Sequence, residues 1–389
     1  MSKGFEDPDN YLPLAQSLAS GEGFSLKGHL TAYRPPLYPL LLAPLVATLG
    51  DQVSWGIAGL HLLLGTGTVL LTARAVRKLG FSETRAFVAG LIVAGDPTLV
   101  WLSQSVMTET LAAFLVAASL AAFTRSGRMG LILGGLCRPS LLVGAGFCCV
   151  VVALLGPGSR PRRLVDSLIL GGTVVLVMLP WAVRNRIVFG EMVWTTTHGG
   201  YTLALANNPV YYRDVLNAPK ESVWTGQDQW YWWDSVNRET AGMPEPEADR
   251  YMKAKVIRLA LERPGDFLRA SIARLERFWS IAPAAAVYPW PVRLISALFT
   301  VPVWIGLLAG LWRRRIWTWP AIAAPLQILG LTAVHTLYWT DMRMRSPIIP
   351  AIAIVVAASF LKERTANPSP TIPAISPPSD SRRPPTATS

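Results

Sequence analysis

Charged residues are scarce in this sequence. They make up 15% of its 389 residues, whereas a soluble domain carries about 25%, and hydrophobic residues make up 51%. This balance argues against a soluble enzyme, and it excludes a disordered chain, which needs low hydrophobicity and high charge. Cysteine and histidine are also rare, with three and four copies. Their spacing provides neither a disulfide framework nor a zinc site.

The sequence has no glycine-rich phosphate loop and no nucleophile elbow, so soluble nucleotide chemistry has no support. It has long apolar runs instead. A helix that spans a bilayer needs about 20 mostly apolar residues. The candidate spans are roughly 53–73, 86–103, 104–124, 140–156, 165–183, 292–312, 316–338 and 346–361.

Two further apolar runs are short. The run 37–49 follows Pro35-Pro36 and is too short to cross comfortably, so we expect a re-entrant or interfacial helix there. The run 129–138 ends at Arg138-Pro139, where a helix should break. We count it as a crossing because the basic residues then agree with one topology.

The basic residues mark one side of the membrane. Short connections on the cytoplasmic side are rich in Lys and Arg. With nine crossings, all the basic connections fall on that side, and residues 1–52 and 184–291 lie on the other. The formal net charge of +12 is therefore a signal of topology, and we expect membrane lipids rather than nucleic acid as partners. The basic connections hold Arg74, Arg77, Lys78 and Arg85; Arg125 and Arg128; Arg160, Arg162 and Arg163; Arg313, Arg314 and Arg315; and Lys362 and Arg364.

The sequence thus predicts an all-α, multi-pass protein of the plasma membrane with about nine transmembrane helices and a small non-cytoplasmic soluble cap. In the cap, two helices meet near Pro264. The C-terminal tail is rich in Pro, Ser and Thr and reads as cytoplasmic disorder. The predicted regions are a non-cytoplasmic first loop with the interfacial helix (1–52), a transmembrane bundle (53–183), the cap (184–291), C-terminal transmembrane helices (292–361) and the tail (362–389).

Acidic side chains form two motifs on the predicted outer side. Glu6, Asp7 and Asp9 cluster beside the membrane, where their mutual repulsion suits a general base or a divalent cation. A solvated acidic N-terminus is the alternative. Glu109 lies just inside a spanning segment, where an acid is costly and usually functional. It could instead only favour the N-terminus of its helix. For Asp96, which precedes a proline, we expect turn chemistry.

Four arginines on that side could bind a phosphate, because a guanidinium can grip one with two hydrogen bonds. Arg34, in AYRPPLYP, could equally be an interfacial anchor. Arg138 stands between two apolar helices. Arg343 and Arg345 lie in a short outer loop, contrary to the usual charge preference, although an ion pair with Asp341 is also possible.

Two polar turns open the cap, at His198-Gly199-Gly200 and Asn207-Asn208-Pro209. Both could hydrogen-bond a sugar, and both could be plain structural loops. An aromatic run from Trp224 to Trp233 follows. Its rings could stack on sugar faces, but we favour the membrane interface, where tryptophan is enriched.

Several short motifs together resemble the GT-C superfamily of polytopic glycosyltransferases. The similarity is greatest to the protein mannosyltransferase-like and aminoarabinose transferase-like families and to related bacterial transferases of lipopolysaccharide sugars. It spans roughly residues 5–361. The matching stretches, in chain order, are DPDNY followed by LPLAQSLASGEGF, AYRPPLYPLLLA, TETL, GLILGGLCRPSLL, LPWAVRN, GGYTLALANNP and RMRSPIIP.

This resemblance implies transfer of a hexosyl or pentosyl group, with inversion, from a polyprenyl-phosphate donor to a glycan, lipid or protein acceptor on the non-cytoplasmic face. Asp7 would be the general base, and Glu109 would orient the acceptor. A divalent cation (Mg²⁺ or Mn²⁺) is possible in this superfamily, and Asp7, Asp9 and Glu109 would hold it. The substrate-binding candidates are Tyr11, Arg34, Arg138, His198, Asn207, Arg343 and Arg345.

Two rival functions remain open from the sequence. A transporter or flippase of lipid-linked saccharides would need a continuous polar path, and no chain of intramembrane charges is visible. A scaffold subunit would tolerate substitution of Asp7 and Glu109. The resemblance also implies a spanning helix before the acidic first loop, whereas only Met1–Gly4 precede that loop here. Either the start codon lies further upstream, so that an apolar stretch of about 20 codons stands in frame before Met1, or the chain is a truncated relative.

Overall fold

The computed structural model of the protein describes residues 5–126, 134–217 and 227–360. These residues are mostly helical, which confirms the prediction of an all-α membrane protein. In this part of the chain, regular strands are confined to one short antiparallel hairpin, β1 (Ser25–Leu26) and β2 (His29–Leu30). The predicted disordered tail, residues 129–133 and Trp224 lie outside the described residues.

The first half of the chain alternates short surface helices with long apolar ones. A 3-10 turn at Gly50–Gln52 joins α2 to α3, so that the predicted interfacial run continues into the first long helix. In order, the helices are α1 (Tyr11–Ala19), α2 (Leu37–Leu49), α3 (Val53–Lys78), α4 (Glu83–Gly95), α5 (Pro97–Leu102), α6 (Glu109–Ser126), α7 (Gly134–Cys137), α8 (Leu141–Leu155) and α9 (Arg160–Phe189).

The cap is a set of shorter amphipathic helices around its own apolar cluster, and three further apolar helices follow it. The predicted break near Pro264 is confirmed, because one cap helix ends at Glu262 and the next begins at Pro264. The cap helices are α10 (Gly199–Leu205), α11 (Pro209–Asn217), α12 (Gln227–Glu239), α13 (Glu245–Glu262) and α14 (Pro264–Phe278). The last helices are α15 (Trp290–Leu311), α16 (Ala323–His335) and α17 (Ile349–Ser359), with 3-10 turns at Arg314–Trp317 and Met342–Ile348.

Four helical stretches in the described residues are long and apolar enough to cross a membrane: Leu37–Lys78, Arg160–Phe189, Trp290–Leu311 and Met342–Ser359. Three shorter apolar helices accompany them, at Glu109–Phe123, Leu141–Leu155 and Ala323–His335. Large apolar side chains on the long helices face outward, Trp55, Leu62 and Leu168 among them. Such exposure suits lipid contact rather than water contact. The predicted number of nine crossings stays a prediction.

The single continuous helix predicted for one span is wrong. The run 86–103 is not one helix, because α4 ends at Gly95 and α5 begins at Pro97. Between them, Oδ1 of Asp96 accepts hydrogen bonds from the backbone N–H groups of Thr98 and Leu99, both at 3.0 Å. An Asp N-cap followed by Pro at the first helical position is a strong helix start. This geometry confirms the turn predicted at Asp96-Pro97.

The first loop and the cap lie at the same end of the helix bundle and contact each other directly. The backbone N–H of Thr197 donates to the carbonyl of Ala32 (3.0 Å), whose own N–H donates to Oε2 of Glu245 (3.0 Å). Arg184, near the end of α9, donates to the carbonyl of Thr31 at 2.7 Å. The predicted topology requires these two regions to share one side of the membrane, and the contacts agree with it.

Close packing of α15 against α17 gives a test of this arrangement. A Cβ added at Gly310 would collide with the backbone carbonyl of Val355, which cannot move without shifting its helix. We expect Gly310→Ala to destabilise the protein by about 1–3 kcal/mol, measured as a lower thermal unfolding temperature. In the matched control Gly171→Ala, the added Cβ meets no atom within 4 Å. Equal unfolding temperatures for the two variants would contradict the packing.

Candidate active site

The two acidic motifs are brought together by backbone pairing. The segment that carries Glu6 forms a parallel bridge to Ser105, and the N–H of Val106 donates to the carbonyl of Glu6 at 2.8 Å. Asp7 follows directly on one side of this bridge, and Glu109 begins α6 three residues after Val106 on the other side. Motifs a hundred residues apart in the sequence therefore meet at the end of the bundle that carries the cap.

Asp7 is held by the N-terminus of α1. Its Oδ1 accepts the backbone N–H of Tyr11 (2.9 Å) and its Oδ2 accepts that of Leu12 (2.8 Å). A carboxylate has about four acceptor positions, so Asp7 still has positions at which it can accept a proton. Burial raises the pKa of Asp7 above its ordinary value, and it outweighs the two backbone hydrogen bonds, which lower the pKa. A fixed, partly buried carboxylate with a raised pKa suits a general base.

Glu109 forms a buried ion pair with Arg138. Its Oε1 lies 2.8 Å from Nη1 of Arg138, and the Glu109 side chain is 2% exposed. The other oxygen, Oε2, is buried and has no hydrogen-bond partner among residues 5–126, 134–217 and 227–360. Arg138 takes this position because the short helix α7 ends at Cys137, one residue before it. The site thus contains a buried carboxylate oxygen with spare acceptor capacity.

Asp9 and Arg34 form a second ion pair. Nη2 of Arg34 lies 2.8 Å from Oδ1 of Asp9, and its Nε donates to the Asp9 carbonyl at 3.0 Å. The remaining Nη1 lies 3.3 Å from Nε2 of His198 in the cap. Arg34 therefore joins the first loop to the cap, and most of its donors are engaged.

Tyr11 lies between the two ion pairs. The Arg34 guanidinium sits 5.7 Å from the centre of its ring, and the Tyr38 ring packs edge-on at 5.4 Å. Burial raises the pKa of the Tyr11 phenol, and the charges of both ion pairs also act on it. Six residues singled out from the sequence thus occupy one cluster: Asp7, Asp9, Tyr11, Arg34, Glu109 and Arg138.

Arg343 reaches the same cluster. Its Nη1 donates to the Met107 sulfur at 3.4 Å, and Nη2 of Arg138 donates to the Met344 sulfur at 3.1 Å. Thioether sulfur is a weak acceptor, so an anionic oxygen would displace it readily. Nε of Arg343 also lies 3.3 Å from the Asp341 carboxylate, so the ion pair considered from the sequence is present. The two arginines keep donors that could bind a phosphate.

Two of the predicted site residues are engaged elsewhere. Arg345 is buried and donates from Nη1 to the carbonyls of Phe278 (2.9 Å) and Ser280 (2.6 Å). Asn207 donates to the carbonyl of Leu337 (2.8 Å) and accepts from Arg274 (3.0 Å). These contacts tie the cap to the ends of membrane helices. A substrate role for either residue stays a prediction without support from its placement.

An aromatic cluster adjoins the acids on the cap side. His198 packs against Tyr33 with ring centres 4.3 Å apart and against Tyr201 at 5.0 Å, and Trp233 packs against Tyr201 at 4.5 Å. Nδ1 of His198 is buried without a hydrogen-bond partner in the described part of the chain. Burial and the Arg34 charge lower the pKa of His198 well below its usual range, so the imidazole is neutral. Half-buried rings beside an unpaired ring nitrogen suit a sugar.

Two supporting residues, Tyr38 and His61, were not predicted from the sequence. The Tyr38 hydroxyl lies 2.7 Å from Nε2 of His61, whose Nδ1 lies 2.7 Å from the carbonyl of Ser103. This series of hydrogen bonds fixes the side chains that lie beneath Tyr11. A histidine inside an apolar helix was the available signal, because a buried polar group needs hydrogen-bond partners.

The predicted cation ligands do not fit a metal site. Asp9 and Glu109 are already paired with guanidinium groups. Throughout the described ranges, no group of three His, Cys, Asp or Glu side chains is placed to hold a metal ion. A role for Mg²⁺ or Mn²⁺ stays a prediction, and we derive no step through it.

This geometry can be compared with known families. Residues 24–136 match the family model of dolichyl-phosphate-mannose-protein mannosyltransferase. The match covers less than a third of the chain, and it includes Arg34, Tyr38 and Glu109. It supports the GT-C superfamily and a membrane glycosyltransferase that uses a polyprenyl-phosphate-linked sugar donor. No curated protein and no solved structure shows significant similarity to the chain.

Proposed function

We propose that this protein transfers a hexosyl or pentosyl group, with inversion, from a polyprenyl-phosphate donor to a hydroxyl of a glycan, lipid or protein acceptor on the non-cytoplasmic face. One observation carries the proposal. Asp7, Glu109, Arg138 and Arg343 converge at the end of the bundle where the first loop meets the cap. A base and two phosphate-binding cations are what this transfer needs.

In the proposed reaction, the Asp7 carboxylate takes the proton of the acceptor hydroxyl. The hydroxyl oxygen bonds to the anomeric carbon on the face opposite the phosphate. The bond from that carbon to the phosphate oxygen breaks, its electron pair stays on the oxygen, and polyprenyl phosphate leaves. The unpaired oxygen Oε2 of Glu109 accepts a hydrogen bond from a sugar or acceptor hydroxyl and so orients it.

The developing charge on the leaving phosphate has to be stabilised. Arg138 and Arg343 do so in this proposal, because Nη2 of Arg138 and Nη1 of Arg343 contact only weak sulfur acceptors. Preorganised donors at developing charge are usually the largest catalytic contribution. Arg34, which is engaged with Asp9, positions Tyr11 and His198 instead. His198 and the rings around it bind the sugar by hydrogen bonding and stacking.

The choice of donor tests this function. The purified protein, reconstituted in vesicles, is given polyprenyl-phosphate sugars and, separately, nucleotide sugars. We expect release of polyprenyl phosphate from lipid-linked donors only. Equal turnover of nucleotide sugars would contradict the proposal, because the proposed leaving group is polyprenyl phosphate.

The acid limb of the pH profile tests the role of Asp7. The base must be deprotonated to act, and burial raises its pKa above the ordinary value of about 3.9. We therefore expect kcat/KM to fall as the pH drops through this raised pKa and to level off above it. An activity that declines only below pH ~3.9, the range of an ordinary exposed carboxylate, would contradict the assignment.

A further inference from the structure

Two consecutive cap helices expose large apolar side chains. On α13, Ile257 is 58% and Leu261 is 78% exposed; on α14, Leu268 is 62% and Ile272 is 50% exposed. The members of each pair are four residues apart, so they lie on one face of their helix. The cap already has its own buried apolar cluster. An additional exposed apolar face therefore indicates a binding partner.

An apolar pocket of about 390 Å³ opens on this face. Its walls include Val256, Ile257 and Leu261 of α13, Phe267 of α14, and Leu203 and Leu337. Almost no polar surface lines it. Such a pocket fits a hydrocarbon chain and offers no site for a polar ligand.

The position of the face points to the bilayer. Leu337 lies two residues beyond the end of the apolar helix α16, so one wall of the pocket is the end of a membrane helix. In addition, α14 ends at Phe278, and the spanning helix α15 begins at Trp290. The exposed face is therefore continuous with segments that enter the membrane.

The charges beside the face suit a lipid headgroup layer. On α13, an adjacent stripe carries exposed Lys255, Arg258 and Glu262, and Arg269 occupies the matching position on α14. Arg258 and Arg263 have no acidic partner in the part of the chain that the structure describes. Residues 251–278 carry seven basic side chains and three acidic ones. An apolar face with basic flanks is typical of helices that lie in a membrane surface.

We propose that α13 and α14 lie in the surface of the leaflet on the cap side, with acyl chains of phospholipids covering Ile257, Leu261, Leu268 and Ile272 and filling the pocket. This contact with the leaflet holds the cap at a fixed height above the membrane. The phosphate of a lipid-linked donor would lie at the same level. The contact does not depend on the proposed function, because it rests on the apolar face alone.

Spin-label accessibility in vesicles of phosphatidylcholine and phosphatidylglycerol tests the proposal. The full chain, with Cys137, Cys148 and Cys149 replaced by alanine, receives one label at Ile257→Cys or Leu261→Cys. The matched controls are Lys255→Cys and Glu262→Cys, which lie on the polar stripe of the same helix. All four positions are exposed, so the labels disturb no core packing.

We expect the labels at 257 and 261 to be relaxed strongly by dissolved oxygen and weakly by a water-soluble nickel complex, and the controls to show the reverse. Equal relaxation by the nickel complex at all four positions would overturn the proposal. So would protection of 257 and 261 from both reagents, because that result indicates a protein partner. Neither readout involves sugar transfer.

Discussion

Asp7→Asn is expected to lower the rate of sugar transfer by about 10²–10⁴-fold while leaving membrane insertion and folding intact. The amide cannot take the proton of the acceptor hydroxyl, but it has nearly the same shape as the carboxylate. Only one of the two backbone N–H groups at the start of α1 loses its acceptor, at a cost of about 1 kcal/mol. Two measurements check this prediction: the turnover of a polyprenyl-phosphate sugar and a thermal unfolding curve.

Glu6→Gln is the matched control for this prediction. Glu6 is the neighbouring acid, its side chain is exposed, and its structural contact is made by its backbone carbonyl. Its turnover should stay near that of the unmodified protein. Near-normal turnover of Asp7→Asn would refute the assignment of the base.

Arg138→Met is expected to have the largest effect on stability. It leaves the buried Glu109 carboxylate without its cation, and removing one partner of a buried pair costs about 3–5 kcal/mol. The double variant Glu109→Leu with Arg138→Met removes both charges and should recover most of that stability, because the site becomes apolar. Sugar transfer should remain lost in the double variant, because the leaving polyprenyl phosphate no longer has the Arg138 guanidinium beside it.

This pair of variants separates structure from chemistry. A purely structural ion pair would let the double variant recover activity together with stability, and that outcome would contradict the proposed role of Arg138. Glu83→Gln, which breaks the exposed pair with Arg77, is the control, and it should cost at most about 1 kcal/mol. Unfolding temperatures and turnover are measured for the same preparations.

Local sequence signals predicted the breaks in the fold. Pro264 separates two cap helices, and α7 ends before Arg138-Pro139, as expected. The single span over 86–103 was wrong because hydropathy averages across Asp96-Pro97, whereas an N-cap followed by proline starts a new helix. Apolar length therefore located the long apolar helices, and local capping chemistry decided where a helix begins or ends.

The sequence singled out the two acidic motifs, but it did not predict that they lie close together in the fold. The bridge between Glu6 and Ser105 forms through backbone atoms, which carry no sequence signature. The sequence also could not separate Arg343 from Arg345. One contacts Met107 beside the site, and the other donates to carbonyls at the end of α14. Two arginines with the same local context differ only in what the fold places around them.

The most direct test of the account follows both halves of a lipid-linked sugar in vesicles that contain only this protein, a labelled polyprenyl-phosphate sugar and an acceptor mixture. We predict that one polyprenyl phosphate is released for each sugar attached to acceptor, and that Asp7→Asn stops both. Movement of intact donor across the membrane, with the bond between sugar and phosphate unbroken, would contradict the account and identify a flippase.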